Sequence, residues 1–137
     1  MKIQYHNRHP LPSTSTTELS AAFVSFEELI STSDIISLNL ALTHETEHIL
    51  SAAEFAKMKK GVVIINTARG GLIDEEAMIQ ALDEGKMWSV GLDVFEHEPH
   101  VDSRLLANEK VVLSPHIGAA TMETMVSYQP KLEKGRN

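Results

Sequence analysis

Short runs of apolar residues alternate with amphipathic stretches along the chain, and this alternation is the first constraint on its architecture. Five apolar runs read as strands, at residues 2–6, 34–40, 62–66, 89–94 and 111–114. Three of them are β-branched and aliphatic with little polar interruption, the pattern of strands buried on both faces of a parallel sheet. Helical patterns fall between them. Ser25 followed by Phe26, Glu27 and Glu28 reads as a cap with acids in the first turn. Residues 51–60 carry Phe55 and Met58 three apart, then Lys57, Lys59 and Lys60, and stop at Gly61. Residues 74–85 give the clearest helix, with Asp74 as cap, Ala77, Met78, Ala81 and Leu82 as one apolar stripe, and Gly85 as the stop. Residues 10–17 show no periodicity and read as a loop.

Strands and helices alternating at this spacing imply right-handed βαβ crossovers and an α/β fold built on an open, doubly wound parallel sheet. Such sheets bind ligands outside the carboxyl ends of their strands. That rule singles out residues 7–8, 41–43, 67–70, 95–98 and 115–116.

Composition narrows the class. The chain has 137 residues, enough for one hydrophobic core, and its 42% hydrophobic and 23% charged content is that of an ordinary globular domain. The run Val62-Val63-Ile64-Ile65 is far too short to cross a bilayer, and no leader-like segment opens the chain, so neither membrane insertion nor secretion is expected. The absence of cysteine removes disulfides and thiolate metal sites and fits a reducing, cytoplasmic setting. A net charge of −7 argues against nucleic acid as a partner. The charge is uneven: Lys2 and Arg8 precede any acid, whereas residues 74–102 hold nine acids and one base, Lys86. A mildly positive amino-terminal segment suits a small anion.

Several motifs invite chemistry. His44-Glu45-Thr46-Glu47-His48 satisfies H-E-x-x-H, the zinc-protease pattern, but it follows a strand where a loop is expected, and Glu54 stands where a third ligand would fall. Two histidines on a connecting loop are the preferred reading, and a zinc hydrolase the remote one. Residues 96–100 (EHEPH) are interrupted by Pro99 and have no partner cluster. Arg69 ends an apolar strand inside a glycine turn; alone it reads as a surface residue, though a guanidinium there can grip a carboxylate with two parallel bonds. Glu98 lies in what would otherwise be a solvated acidic turn, and His116 follows a strand and precedes small residues. At one edge of one sheet, Arg69, Glu98 and His116 together supply an anion clamp, a carboxylate to orient an imidazole, and a proton donor.

The segments NTARGGLIDEEA (66–77), GLDVFEHEP (91–99) and SPHIGAAT (114–121), in this order and spacing, resemble the cofactor domain of the D-isomer-specific 2-hydroxyacid dehydrogenases, in particular the glyoxylate and hydroxypyruvate reductases. The resemblance runs from about residue 2 to residue 125. It implies a Rossmann-like fold and reduction of a small 2-keto acid to the D-2-hydroxy acid by NAD(P)H. It also implies roles: Arg69 on the substrate carboxylate and carbonyl, His116 as the acid, Glu98 as its orienting partner, Asp93 on the nicotinamide amide, and Thr67, Ala41 and Gly118 lining the cofactor. Family members commonly pair as homodimers through this domain. The first strand ends in Tyr5-His6-Asn7-Arg8, where NAD enzymes carry an acid for the ribose; Asn7 and Arg8 therefore point to NADP, with NAD as the alternative.

The chain departs from the family pattern in two respects. No G-x-G-x-x-G fingerprint is present, so a partial doubly wound sheet lacking the first βα unit is expected, with residues 1–126 as a partial cofactor domain and 127–137 as a polar tail. In the order 3-2-1-4-5-6 the absent strand would leave a gap, or a forced pairing, between residues 2–6 and 62–66. Such a chain is expected to fold poorly, bind dinucleotide weakly and lack turnover alone. A competing reading is a non-catalytic nucleotide-fold module that pairs with a full-length homologue.

Overall fold

The computed structural model describes residues 1–12 and 20–124 of the chain; the expected polar tail and residues 13–17 of the expected loop lie outside them. The described elements are β1 (Gln4–Tyr5), β2 (Ala22–Phe23), α1 (Phe26–Thr32), β3 (Ile35–Leu38), α2 (Ala52–Lys57), β4 (Val62–Asn66), α3 (Glu75–Asp83), β5 (Met87–Leu92), α4 (Ser103–Ala107) and β6 (Val111–Leu113), with a 3₁₀ turn at Gly70–Leu72. None of the described helices is long and apolar enough to cross a membrane.

Local chemistry sets the helix starts. The Ser25 hydroxyl accepts the Glu28 N–H at 3.1 Å, and the Asp74 carboxylate accepts the Ala77 N–H at 3.0 Å, so each cap satisfies a donor the helix cannot. Before α2, the Glu54 carboxylate accepts from both the hydroxyl and the backbone N–H of Ser51. This helix ends at Lys57, three residues short of Lys60, the last residue expected in it, because Met58 turns to extended backbone.

The main sheet is four-stranded and entirely parallel, in the order β3-β4-β5-β6. It is the Rossmann-like α/β arrangement that the alternation predicts. Its register places Ile36, Ile64, Val90 and Val111 in one cross-strand row, and Leu38, Asn66, Leu92 and Leu113 in the next. These rows join Ile30, Phe55, Met78, Leu82 and Leu105 from the four helices in a single buried core. The alternate positions, which face the other way, do not behave as expected. Ile35 (55% exposed), Ile65 (37%) and Val112 (68%) stand on the opposite face and remain in contact with solvent. The apolar runs thus predicted burial on both faces, whereas among the described residues only one face is covered.

The break in the sheet also lies elsewhere than expected. β1 pairs in parallel with β2, a two-residue strand that the apolar pattern does not reveal, and this ribbon forms a separate two-stranded sheet. The discontinuity therefore falls between this ribbon and the β3–β6 sheet, and β3, not β4, is an outer strand of the larger sheet. Counting 34–40 as the strand after 2–6 misplaced it by one position. The ribbon is tied to α1 by the Gln4 amide, which donates to Thr32 Oγ1 and Ser33 Oγ at 2.8 and 2.9 Å.

Candidate active site at the carboxyl edge of the sheet

Three segments leave the carboxyl ends of β4, β5 and β6 and meet. The first is shaped by Asn66, the last residue of β4 and almost wholly buried. Its amide donates to the Arg69 carbonyl at 2.9 Å and accepts the Ala68 N–H at 3.1 Å, folding residues 66–69 into a tight turn. That turn presents the exposed Arg69, whose Nη1 rests on the Ala68 carbonyl at 2.6 Å. Gly70 follows because nothing larger fits: a β-carbon there would lie 1.9 Å from the Phe95 carbonyl oxygen and 2.5 Å from the Glu96 nitrogen. The Arg69 loop and the Glu98 loop are packed backbone to backbone.

In the second segment, Glu98 Oε1 accepts the Phe95 N–H at 2.9 Å, and Glu98 Oε2 lies 2.8 Å from His116 Nδ1. The His116 hydrogen bond, the Phe95 N–H and the positive charges of His116 and Arg69 hold the Glu98 carboxyl below the usual carboxylate range. An ionised carboxylate only accepts, so His116 Nδ1 carries the proton of this bond and Nε2 is left for another partner. This is the arrangement of a carboxylate fixing an imidazole's tautomer and orientation.

The third segment carries His116 in a left-handed backbone conformation, φ +54°, which costs an ordinary residue about 1–3 kcal/mol. Asp93 holds it there. Buried at the end of β5, Asp93 accepts the Ile117 N–H at 3.0 Å on one oxygen and the Gly118 N–H at 2.8 Å on the other. Ser114, these two amides and His116 keep its carboxyl below the ordinary range despite burial. A β-carbon at Gly118 would meet Asp93 Oδ2 at 2.8 Å, so this glycine permits the close approach. The resemblance implies that Asp93 and Gly118 contact the cofactor; what the structure shows is that they bond each other and fix the turn that carries His116.

Two open clefts flank these segments. One, of about 540 Å³, is lined by Glu98 and His116 together with the apolar Phe95, Pro99, Val101 and Leu113. The other, of about 610 Å³, is lined by residues 39–42 and 67–69, because the Leu38–Asn66 pairing sets the ends of β3 and β4 side by side. Its lining includes Ala41, Thr67 and Arg69 but not Gly118. Asn7 and Arg8 line neither cleft. They follow β1 on the separate ribbon, exposed, with the Arg8 N–H donating to Asn7 Oδ1 at 2.9 Å.

The H-E-x-x-H segment forms a turn rather than the helix a zinc site of that type requires. Its second histidine is not simply solvent-facing, as the sequence suggested: His48 Nε2 meets Glu96 Oε1 at 2.7 Å. Sequence reasoning did not foresee this contact, nor the structural parts of Asn66 and Gly70. The three residues between Asn66 and Gly70 hint at a shaped turn, but nothing local links His48 to Glu96.

Comparison with known proteins agrees with the geometry. Residues 1–118 match the model of the D-isomer specific 2-hydroxyacid dehydrogenase, NAD binding domain. The chain is 57% identical to 4-methyl-2-oxopentanoate reductase A of Aspergillus oryzae over 90% of its own length and 37% of that protein's. It is 51% identical to glyoxylate reductase 1 of Saccharomyces cerevisiae over 88% of its length and 34% of the relative's. Among solved structures, apo D-mandelate dehydrogenase of Rhodotorula graminis superposes with a TM-score of 0.92 at 40% identity, covering 95% of this chain and 38% of that one. The chain thus spans little more than a third of the curated relatives it matches. It belongs to the D-isomer specific 2-hydroxyacid dehydrogenase family and corresponds to part of that family's NAD-binding domain.

Proposed function

We propose that this chain supplies the nicotinamide-binding and proton-transfer part of an oxidoreductase that reduces a small 2-keto acid, of the glyoxylate or hydroxypyruvate type, to the D-2-hydroxy acid. The observation that carries the reading is the 2.8 Å contact of His116 Nδ1 with Glu98, at the sheet edge where such folds bind ligands. Its setting supports it: the Arg69 charge acts on Glu98, and the cleft of residues 39–42 and 67–69 opens beside Arg69.

In this reading Arg69 binds the substrate carboxylate through paired N–H donors. His116 gives the proton at Nε2 to the carbonyl oxygen, while Glu98 holds the Nδ1 proton and compensates the ring's charge. The nicotinamide, when bound, supplies the hydride. The residues present fit such a group: Ala41 and Thr67 line an open cleft at the ends of two parallel strands, and Gly118 leaves its small-residue turn unobstructed next to Asp93. Asp93 is proposed to keep acceptor capacity for the carboxamide beyond the two N–H groups and the Ser114 side chain it already holds. Arg8, with Asn7, favours NADP over NAD through attraction to a 2′-phosphate. The natural setting is proposed as cytoplasmic and the assembly of the full-length family as a homodimer, with residues 1–126 as a partial cofactor domain and 127–137 as a polar tail.

Titrating labelled chain with NADPH, then NADH, tests the reading. Amide signals of Ala41, Thr67 and Gly118 are expected to move, with NADPH binding the more tightly. No movement with either nucleotide at millimolar concentration overturns it. Oxidation of NADPH by the chain with glyoxylate or hydroxypyruvate would instead overturn the expectation that it lacks turnover alone.

A further inference from the structure

The Glu98 loop is held from behind by groups that the proposed reaction does not use. The turn before α2 ends at His48, whose backbone is left-handed at φ +50° and whose N–H donates to the Gly71 carbonyl at 2.9 Å. Its Nε2 lies 2.7 Å from Glu96 Oε1, a carboxylate only 18% exposed. Glu96 Oε2 in turn accepts the N–H of Glu75, the first residue of α3, at 3.1 Å. The Glu75 carboxylate accepts the N–H of Glu96 at 3.2 Å. Two carboxylates thus exchange backbone donors across the gap between α3 and the loop, and burial, with the Glu96 charge, keeps the Glu75 carboxyl above its ordinary range.

Such a pair repels itself unless a cation stands by. His48 is the cation in contact with Glu96. The Glu96 hydrogen bond and charge, and to a lesser extent the acids Asp74 and Glu47, raise the His48 pKa above its ordinary value against the opposing effect of burial. Glu75 additionally feels His97 and Asp102. On the far side of Glu96, the Phe95 N–H binds Glu98, which binds His116.

We propose that His48 is a positioning residue: through Glu96 it holds the loop of residues 95–98 where Glu98 can engage His116. The proposal rests on reading Glu98 and His116 as the proton-handling pair. Removal of the His48 ring leaves Glu96 with the Glu75 N–H but without its neutralising partner, and the loop is released toward solvent. The clamp is tightest when His48 is protonated. Because its folded pKa is raised, that contribution is fully present below the unfolded value and is lost as pH rises through the folded one.

The test uses nuclear magnetic resonance on the folded 137-residue chain. It reads exchange of the Phe95 amide, corrected for the intrinsic effect of pH, and the His116 Nδ1–H signal. His48→Ala and Glu96→Gln are expected to speed Phe95 exchange roughly tenfold or more, the size for losing a hydrogen bond to a charged group, and to weaken the Nδ1–H signal. His48→Gln keeps an N–H donor within reach of Glu96. It is expected to restore most of the protection while abolishing the pH step that the wild type shows as His48 deprotonates, which loss of packing alone would not do. The His48→Gln and Glu96→Gln pair carries the test even where His48→Ala fails to fold. Unchanged Phe95 exchange in Glu96→Gln, or a pH step that persists in His48→Gln, overturns the clamp. Glu98→Gln separates the two readings. If it removes the Nδ1–H signal while the His48 and Glu96 variants leave it intact, the clamp fails and the site stands; if the signal ignores Glu98→Gln, both fail.

Discussion

The carboxyl edge of the large sheet and the amino-terminal ribbon are built on opposite principles. At the sheet edge, loops from β4, β5 and β6 are interlocked by backbone packing at Gly70, by Asp93 on two successive N–H groups, and by Glu98 on His116. The ribbon pairs two strands of two residues each, and Arg8 projects from its end as an exposed side chain. Geometry at the first is over-determined; at the second a charge is simply delivered. Proton transfer needs atoms placed within tenths of an ångström, whereas attraction of a phosphate tolerates a loosely held guanidinium.

Four substitutions probe this contrast. Gly70→Ala should have the largest effect, since its methyl would overlap the Phe95 carbonyl; we expect about 3 kcal/mol or more lost in denaturant unfolding. A loss under about 0.5 kcal/mol would show that the loops are not interlocked. Asp93→Ala comes next, leaving two backbone donors without their acceptor, at about 2 kcal/mol, with faster amide exchange at Ile117 and Gly118.

Acid titration gives the third effect. The Glu98 carboxyl is lowered in the folded state, so its contribution to stability is present above the unfolded value and lost as pH falls through the folded one. Glu98→Gln should therefore flatten the acid side of the stability profile; an unchanged slope would mean that the His116 pair does not stabilise the loop. Arg8→Ala should be smallest in stability, within about 0.5 kcal/mol, while narrowing the preference for NADPH over NADH. Comparable unfolding midpoints alongside an unchanged nucleotide preference would remove Arg8 from the cofactor's surroundings.

Legibility in the sequence followed the length of each element and the range of each contact. β4 is found at its predicted bounds because four apolar residues and Asn66, between Gly61 and a polar turn, leave little choice. β2 and α4, of two and five residues, carry too little periodicity to be recognised. Missing β2 is what shifted the break in the sheet. Arg69, Glu98 and His116 were legible because each follows a strand, and topology alone brings such positions to one edge. Asp93's grip on the His116 turn and the His48–Glu96 pair join residues 24–25 and 48 positions apart, and no pattern within a window encodes them. His48 was visible only as part of a motif belonging to other chemistry.

The apolar side chains of Ile35, Ile65 and Val112, exposed on one face of the sheet among the described residues, also bear on how the chain behaves in the test tube. Apolar association near room temperature is driven by entropy and strengthens on warming. A sheet with one wet apolar face should therefore self-associate more as temperature rises, below its unfolding transition, and disperse again on cooling. Reversible turbidity of that kind would be a property of the native fold, and heating scans would need to distinguish it from denaturation.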